Sequence, residues 1–173
     1  MTREAKDSAY ISGGDMNLDL INKIYKDGNF QVADHFDDWR DAIRQSLVPL
    51  IKNGYATERY YEAVLENIDK WGTYICITPD VCIPHAEGEN NGAIKSGIGF
   101  LCVGERVHFG DGENDNPKLL FPLIAMKSDE HLENLRLLME CLDQPDVIDA
   151  LLTIQTEDDL LGILDSSGSG RRS

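Results

Sequence analysis

Among the chain's four histidines, His85 has the setting of a reactive side chain. It ends Val81-Cys82-Ile83-Pro84-His85, an apolar strand stopped by a proline. Pro84 fixes its own φ and biases Ile83 toward extended backbone, so the next side chain leaves the strand end in a set direction. The polar run Ala86-Glu87-Gly88-Glu89-Asn90-Asn91-Gly92 that follows cannot cover the ring with apolar bulk. A reachable imidazole on a rigid backbone suits a nucleophile that must meet other proteins. With an ordinary pKa of about 6.5 it is largely uncharged at neutral pH. His131 follows Ser128-Asp129-Glu130 and is expected in the first turn of a helix capped by Ser128. There the helix dipole favours neutral imidazole, and the free backbone N–H groups attract an anion such as a phosphoryl group. The plain alternative is a surface histidine on a helix. Lys95-Ser96 precedes an apolar strand starting at Gly97, where a small hydroxyl could reach the site around His85. The competing reading of that pair is a turn leading into the strand. His35 and His108 lie at element boundaries among charged residues and read as surface side chains.

Other chemistries find less support. Asp111-Gly112-Glu113-Asn114-Asp115-Asn116-Pro117 resembles a calcium loop only superficially. Asn116 stands where such a loop needs its glycine and Pro122 where it needs a bidentate glutamate, so the segment reads as a solvated turn. No HExxH motif or His/Cys pair at zinc spacing occurs, and His85 with Glu87 and Glu89 could hold a metal only loosely. GxSxG, P-loop and GxGxxG patterns are absent, so no cofactor and no resident metal are expected. Cys76, Cys82, Cys102 and Cys141 form no CxxC pair and sit in apolar surroundings, which reads as small core side chains in a reducing compartment.

The elements that must position these residues follow from hydrophobic period and punctuation. Asn29 to Ala33 is a strand candidate. Asp34 offers a cap for a helix reaching Lys52, with Trp39, Ile43, Leu47 and Leu50 at helical spacing and Asn53-Gly54 as its stop. Thr57 opens a second helix carrying Tyr60, Val64, Leu65 and Ile68, closed at Trp71-Gly72. Strands are then expected at Tyr74–Ile77, Val81–Ile83, Gly97–Val103, Val107–Phe109 and Leu119–Met126. A helix from Ser128 should bury Leu132, Leu135, Leu138 and Leu142, and short helices should follow over Pro145–Leu152 and Glu157–Leu164. Helices, strands and helices around one sheet predict a single α/β domain over residues 16–164, with a mixed central β-sheet flanked by α-helices. Residues 1–15 and 165–173 read as flexible tails.

The 173 residues carry 31 acidic and 16 basic side chains, a formal charge of -15. Such a surface repels phosphate backbones and anionic lipid, which argues against nucleic-acid and membrane-surface partners. No apolar run approaches the length of roughly 18–20 residues that spans a bilayer. A cytoplasmic chain is expected, and its oligomeric state is left open.

Several runs in this chain resemble the enzyme IIA domains of the bacterial phosphoenolpyruvate-dependent sugar phosphotransferase system, mannitol/fructose type. They are Tyr60-Tyr61-Glu62-Ala63-Val64-Leu65, Trp71-Gly72-Thr73-Tyr74, Ile77-Thr78-Pro79 and Ile83-Pro84-His85, with Lys95-Ser96-Gly97 and Asp129-Glu130-His131 at the family's separations. The aromatic-Gly-x-Tyr stretch is most similar to the ascorbate-type branch. The resemblance implies a phosphotransferase in which His85 accepts a phosphoryl group from the phosphocarrier HPr and delivers it to a cysteine of an enzyme IIB. It also implies that His131 lies beside His85 and helps hold or polarise the group, and that the chain serves a membrane IIC component without entering the membrane. Lys95 and Ser96 are implied only as neighbours of the site. Ala86 stands where the family usually has glycine, and Asn67 stands near where the mannitol branch has an active-site arginine. A regulatory IIA of the nitrogen type, or an acidic interaction domain without chemistry, are the alternative functions.

Overall fold

A computed structural model describes residues 16–168. Its order of elements is α1 (Asp19–Lys26), β1 (Phe30–Ala33), α2 (Trp39–Lys52), α3 (Glu58–Trp71), β2 (Val81–Cys82), β3 (Gly97–Ile98), β4 (Phe100–Val103), β5 (Leu119–Leu120), β6 (Leu123–Ile124), α4 (Ser128–Leu142), α5 (Val147–Leu152) and α6 (Glu157–Ser167). Four strands form a mixed sheet in the order β1-β4-β5-β2, with β1 parallel to β4, β5 antiparallel to β4, and β2 parallel to β5. β3 and β6 pair antiparallel beside it.

Side chains alternate across the sheet, as the pleat requires. Cys82, Leu101, Val103 and Leu120 point into one core with Ile43, Leu47, Leu50, Tyr60 and Val64 of α2 and α3. Val81, Phe100, Cys102 and Leu119 point into a second core with α1, α4, α5 and α6. Every residue of β4 is buried, the pattern of a central strand covered on both faces. The result is the expected α/β domain, a mixed sheet between two helical layers.

The strands are shorter than their apolar runs. Gly97–Val103 breaks at Gly99 and Leu119–Ile124 breaks at Phe121-Pro122. Pro122 has no N–H for the ladder, although its carbonyl still accepts from Gly99 at 2.9 Å. Tyr74–Ile77 is not a strand; within it only Cys76 forms an isolated antiparallel bridge, with Cys82. Val107–Phe109 is likewise irregular, although Val107 and Phe109 are buried and donate to Pro117 and Asp115 carbonyls.

Helix boundaries also differ from the sequence reading. α2 starts at Trp39 because Asp38, not Asp34, accepts the Arg40 N–H and caps it. α4 is capped by the Lys127 backbone, so Ser128 is its first residue, and the Glu130 carboxylate accepts the Met126 N–H. Leu132 is 64% exposed, and the buried stripe runs through Leu138, Cys141 and Leu142 instead. α6 continues past the expected boundary at Leu164 to Ser167, which is buried and donates back to the Leu164 carbonyl. The rest of the expected tails, residues 1–15 and 169–173, lies outside the described residues.

α2 contains Pro49, which cannot donate to the carbonyl one turn back and would strand it. That carbonyl belongs to Gln45, and it accepts the Gln31 side-chain amide of β1 at 2.7 Å, while Gln45 returns a bond to Gln31 at 2.6 Å. The helix defect is thereby repaired by the neighbouring strand.

Candidate active site

Parallel pairing decides where the site lies. β2 and β5 run in the same direction, so the chain leaves both at the same edge of the sheet. The ladder continues past β2, with Phe121 donating to the Cys82 carbonyl at 2.8 Å and Leu123 to the Pro84 carbonyl at 3.0 Å. His85 is the first residue beyond it. On the neighbouring line, Ala125, Met126 and Lys127 lead from β6 into α4, and His131 stands in the opening turns of that helix.

The two rings meet at this rim, with centroids 4.9 Å apart and planes 33° from parallel. His85 Nδ1 lies 2.6 Å from the Ile83 carbonyl oxygen. A carbonyl only accepts, so Nδ1 carries the proton and Nε2 keeps the lone pair. Burial lowers the pKa of His85, reinforced by the neighbouring His131, while the Ile83 carbonyl acts in the opposite sense. Burial lowers the pKa of His131 as well. Both rings are therefore neutral near pH 7, and His85 offers an uncharged nucleophilic nitrogen.

Two tyrosines fix the backbone on either side of that ring. Tyr74 packs edge-on against His85 at 5.1 Å, and its hydroxyl donates to the His85 carbonyl. Burial raises the pKa of Tyr74, and the nearby Asn67 side chain acts in the opposite sense without bringing charge to the site. Tyr60 is fully buried; its hydroxyl accepts the Ala86 N–H at 3.0 Å and donates to the Leu123 carbonyl at 2.6 Å. Ala86 is thereby tied to β6 on the step after the histidine. Gly88 lies so close to the sheet that a Cβ there would sit 1.8 Å from the Ala125 carbonyl oxygen.

Between this loop and the start of α4 lies a cleft of about 470 Å³ lined by His85, Glu87, Glu89, Lys127, Ser128 and His131, among others. At the α4 start the Glu130 N–H is taken by Asp129 Oδ1 and the His131 N–H by the Lys127 carbonyl, which leaves the Ser128 and Asp129 N–H dipoles to face a phosphoryl oxygen. Lys127 is the only lysine or arginine among the lining residues, against Glu87 and Glu89. Met126 and Leu132, 40% and 64% exposed, border the opening with apolar surface.

His85 and His131 are thus brought together, whereas Lys95 and Ser96 are not among the residues lining the cleft. Lys95 Nζ lies over the Tyr55 ring at 4.5 Å, and Ser96 Oγ accepts from the Asn134 amide at 2.8 Å. His35 and His108 are exposed, beside Asp37 and Asn116. The acidic loop is organised internally: Asp115 accepts from Thr73 Oγ1 and from the Gly112 N–H, each at 2.9 Å. Sequence reasoning missed Tyr60 as a site residue, although a tyrosine on an otherwise apolar helix face must find a hydroxyl partner.

The match to the model of the phosphoenolpyruvate-dependent sugar phosphotransferase system, EIIA 2, spans residues 23–167. The chain belongs to this family. Its members are the phosphotransferase IIA components of that system. The mannitol-specific cryptic phosphotransferase enzyme IIA component of Escherichia coli (strain K12) is 31% identical over 145 residues, covering 83% of this chain and 97% of that protein. The ascorbate-specific PTS system EIIA component of the same strain is 21% identical over 153 residues, covering 88% and 99%. The ascorbate likeness is present, at lower identity than the mannitol-type one. The fold is also that of enzyme IIA of mannitol from Escherichia coli, solved in complex with phosphorylated enzyme IIB of mannitol, with a TM-score of 0.66, 25% identity and coverage of 79% and 94%. Among the described residues no helix is long and apolar enough to cross a membrane.

Proposed function

We propose that His85 Nε2 accepts a phosphoryl group from phospho-HPr and passes it to the cysteine of an enzyme IIB. In the first step the Nε2 lone pair attacks phosphorus in line, and the N–P bond to the donor histidine breaks. In the second, the IIB thiolate attacks the same phosphorus and the electron pair returns to Nε2. His85 keeps its Nδ1 proton, held by the Ile83 carbonyl, throughout. His131 and the α4 N–H groups hold the equatorial oxygens, and Lys127 supplies the cation that Asn67 does not. The observation that carries this reading is the pair of imidazoles 4.9 Å apart with His85 Nδ1 already engaged. The mannitol IIA–IIB complex supports the acceptor class.

The same reading places the chain in the cytoplasm beside a membrane IIC component, serving an ascorbate-type sugar on the strength of Trp71-Gly72-Thr73-Tyr74. Incubation with phosphoenolpyruvate, enzyme I and HPr should label His85, and His85→Ala should abolish the label; a label that survives refutes the role. Offering the labelled protein to ascorbate-branch and mannitol-branch IIB proteins decides the sugar. Discharge to the ascorbate-branch protein alone is expected, and discharge only to the mannitol-branch protein overturns that assignment.

A further inference from the structure

Cys76 and Cys82 are directly opposed in an antiparallel bridge. The flanking hydrogen bonds run from Ile77 N to the Val81 carbonyl at 3.1 Å and from Ile83 N to the Ile75 carbonyl at 2.8 Å. That pattern makes the cysteines a non-hydrogen-bonded pair, the antiparallel position with the closest Cα atoms, about 4.5 Å apart. Disulfides span Cα separations of about 4.4–6.8 Å, so the backbone already has the spacing. Both thiols face the same core, with Cys82 fully buried and Cys76 8% exposed. Burial and the adjacent Cys76 thiol together raise the pKa of Cys82. The other two thiols differ: Cys102 points to the Leu151 and Ile154 carbonyls, and Cys141 to the Asn17 carbonyl.

We propose that Cys76 and Cys82 form a redox-modification site that takes a small-molecule disulfide as oxidant and closes into an intramolecular disulfide. Cys76, the less completely buried of the two, attacks one sulfur of the oxidant as thiolate, and the first small thiolate leaves. Cys82, a protonated thiol at rest, gives up its proton as its sulfur attacks the Cys76 sulfur, and the second small group leaves as a thiol. The two protein thiols lose two electrons, the oxidant gains them, and the two protons end on the released thiols. The closed loop is short, spanning the Thr78-Pro79-Asp80 turn, so the bond adds little through chain entropy and acts locally.

Its local target is the histidine. Ile83, next to Cys82, holds His85 Nδ1, and Tyr74, near Cys76, holds the His85 carbonyl. Bringing two non-bonded sulfurs to about 2.05 Å re-orients both side chains in the packed core behind these supports, and an error near 1 Å in a reacting group costs on the order of 100-fold in rate. A loss of about 10-fold or more in phosphoryl acceptance is therefore expected in the oxidised form.

The experiment treats the full chain with oxidised glutathione, alkylates remaining thiols after denaturation, and maps peptides by mass. The expected product joins Cys76 to Cys82, leaves Cys102 and Cys141 alkylated, and reverts with dithiothreitol. Four alkylated cysteines, or glutathione retained on Cys76 alone, overturn the site. Cross-linked protein with unchanged His85 imidazole NMR signals and unchanged phosphoryl acceptance overturns the link to the histidine. Cys76→Ala should keep the basal rate and lose all response to the oxidant; a response that persists in it also overturns that link. Mass mapping does not depend on phosphoryl transfer, so failure of the carrier reading leaves this test intact.

Discussion

Replacing Tyr60 by phenylalanine removes one oxygen from the centre of the protein and leaves the ring in place. That oxygen accepts the Ala86 N–H and donates to the Leu123 carbonyl, and Tyr60 is completely buried. Leu123 is fully buried, so stranding its carbonyl costs about 1–3 kcal/mol, whereas Ala86 lines the cleft and loss of the bond to its N–H adds about 1 kcal/mol. Tyr60→Phe should therefore lose about 2–4 kcal/mol of stability. At about 2–4 °C per kcal/mol for a chain of this size, Tm should fall by roughly 4–16 °C. Tyr74→Phe is the control: its hydroxyl also holds the His85 segment, but Tyr74 is only half-buried. Water can replace that bond, so its cost should stay near the ordinary value of about 1 kcal/mol. Thermal and urea denaturation of the three proteins measures both losses. If Tyr74→Phe proved the more destabilising, or Tyr60→Phe cost under about 1 kcal/mol, the assignment of the Tyr60 hydroxyl as the tie between the histidine loop and β6 would be wrong.

Imidazole NMR titration should place the midpoints of both His85 and His131 below about 6.5, because burial penalises the charged ring. The unfolded chain then binds more protons than the folded one as pH falls below about 6.5, so stability declines through that window and levels off below the native midpoints. A midpoint above 6.5 for either ring contradicts this. Gly88→Ala should shift the loop after His85 and lower Tm, since the new Cβ meets the Ala125 carbonyl and backbone must move; an unchanged Tm with unchanged Ala125 and His85 chemical shifts refutes that close approach. His131→Ala should still take up label on His85 while passing it to a IIB protein more slowly, and equal onward rates would remove His131 from the relay.

Long periodic elements were legible in the sequence, and the reasons are local. The stripe of Ile43, Leu47 and Leu50 and the Trp71-Gly72 stop fix α2 and α3 without reference to the rest of the fold. α1 is not marked in the sequence: Leu18, Ile21 and Ile24 are spaced for one helical face, but eight residues give a weak period. The strands were found as apolar runs but not as paired segments, since Gly99 and Pro122 interrupt the ladder without interrupting burial. His85 was readable because Pro84 marks a strand end. Residue patterns alone do not place His131 next to it, although the family resemblance implies it; the placement follows from the parallel pairing of β2 with β5, a long-range fact. The spacing of Leu132 fits the buried stripe, but its 64% exposure reflects a face turned toward the cleft opening rather than the sheet. Lys95 and Ser96 do not line the cleft; Lys95 lies over the Tyr55 ring and Ser96 bonds Asn134, on the helix that carries His131.

The acceptor for His85 Nδ1 is a main-chain oxygen two residues upstream. No side-chain replacement can delete it, so the tautomer is inherited from the path of the peptide itself. Mutational drift around the rim can alter how fast the histidine works and whom it meets. Which of its nitrogens does the work stays the same for as long as the strand ends where it does.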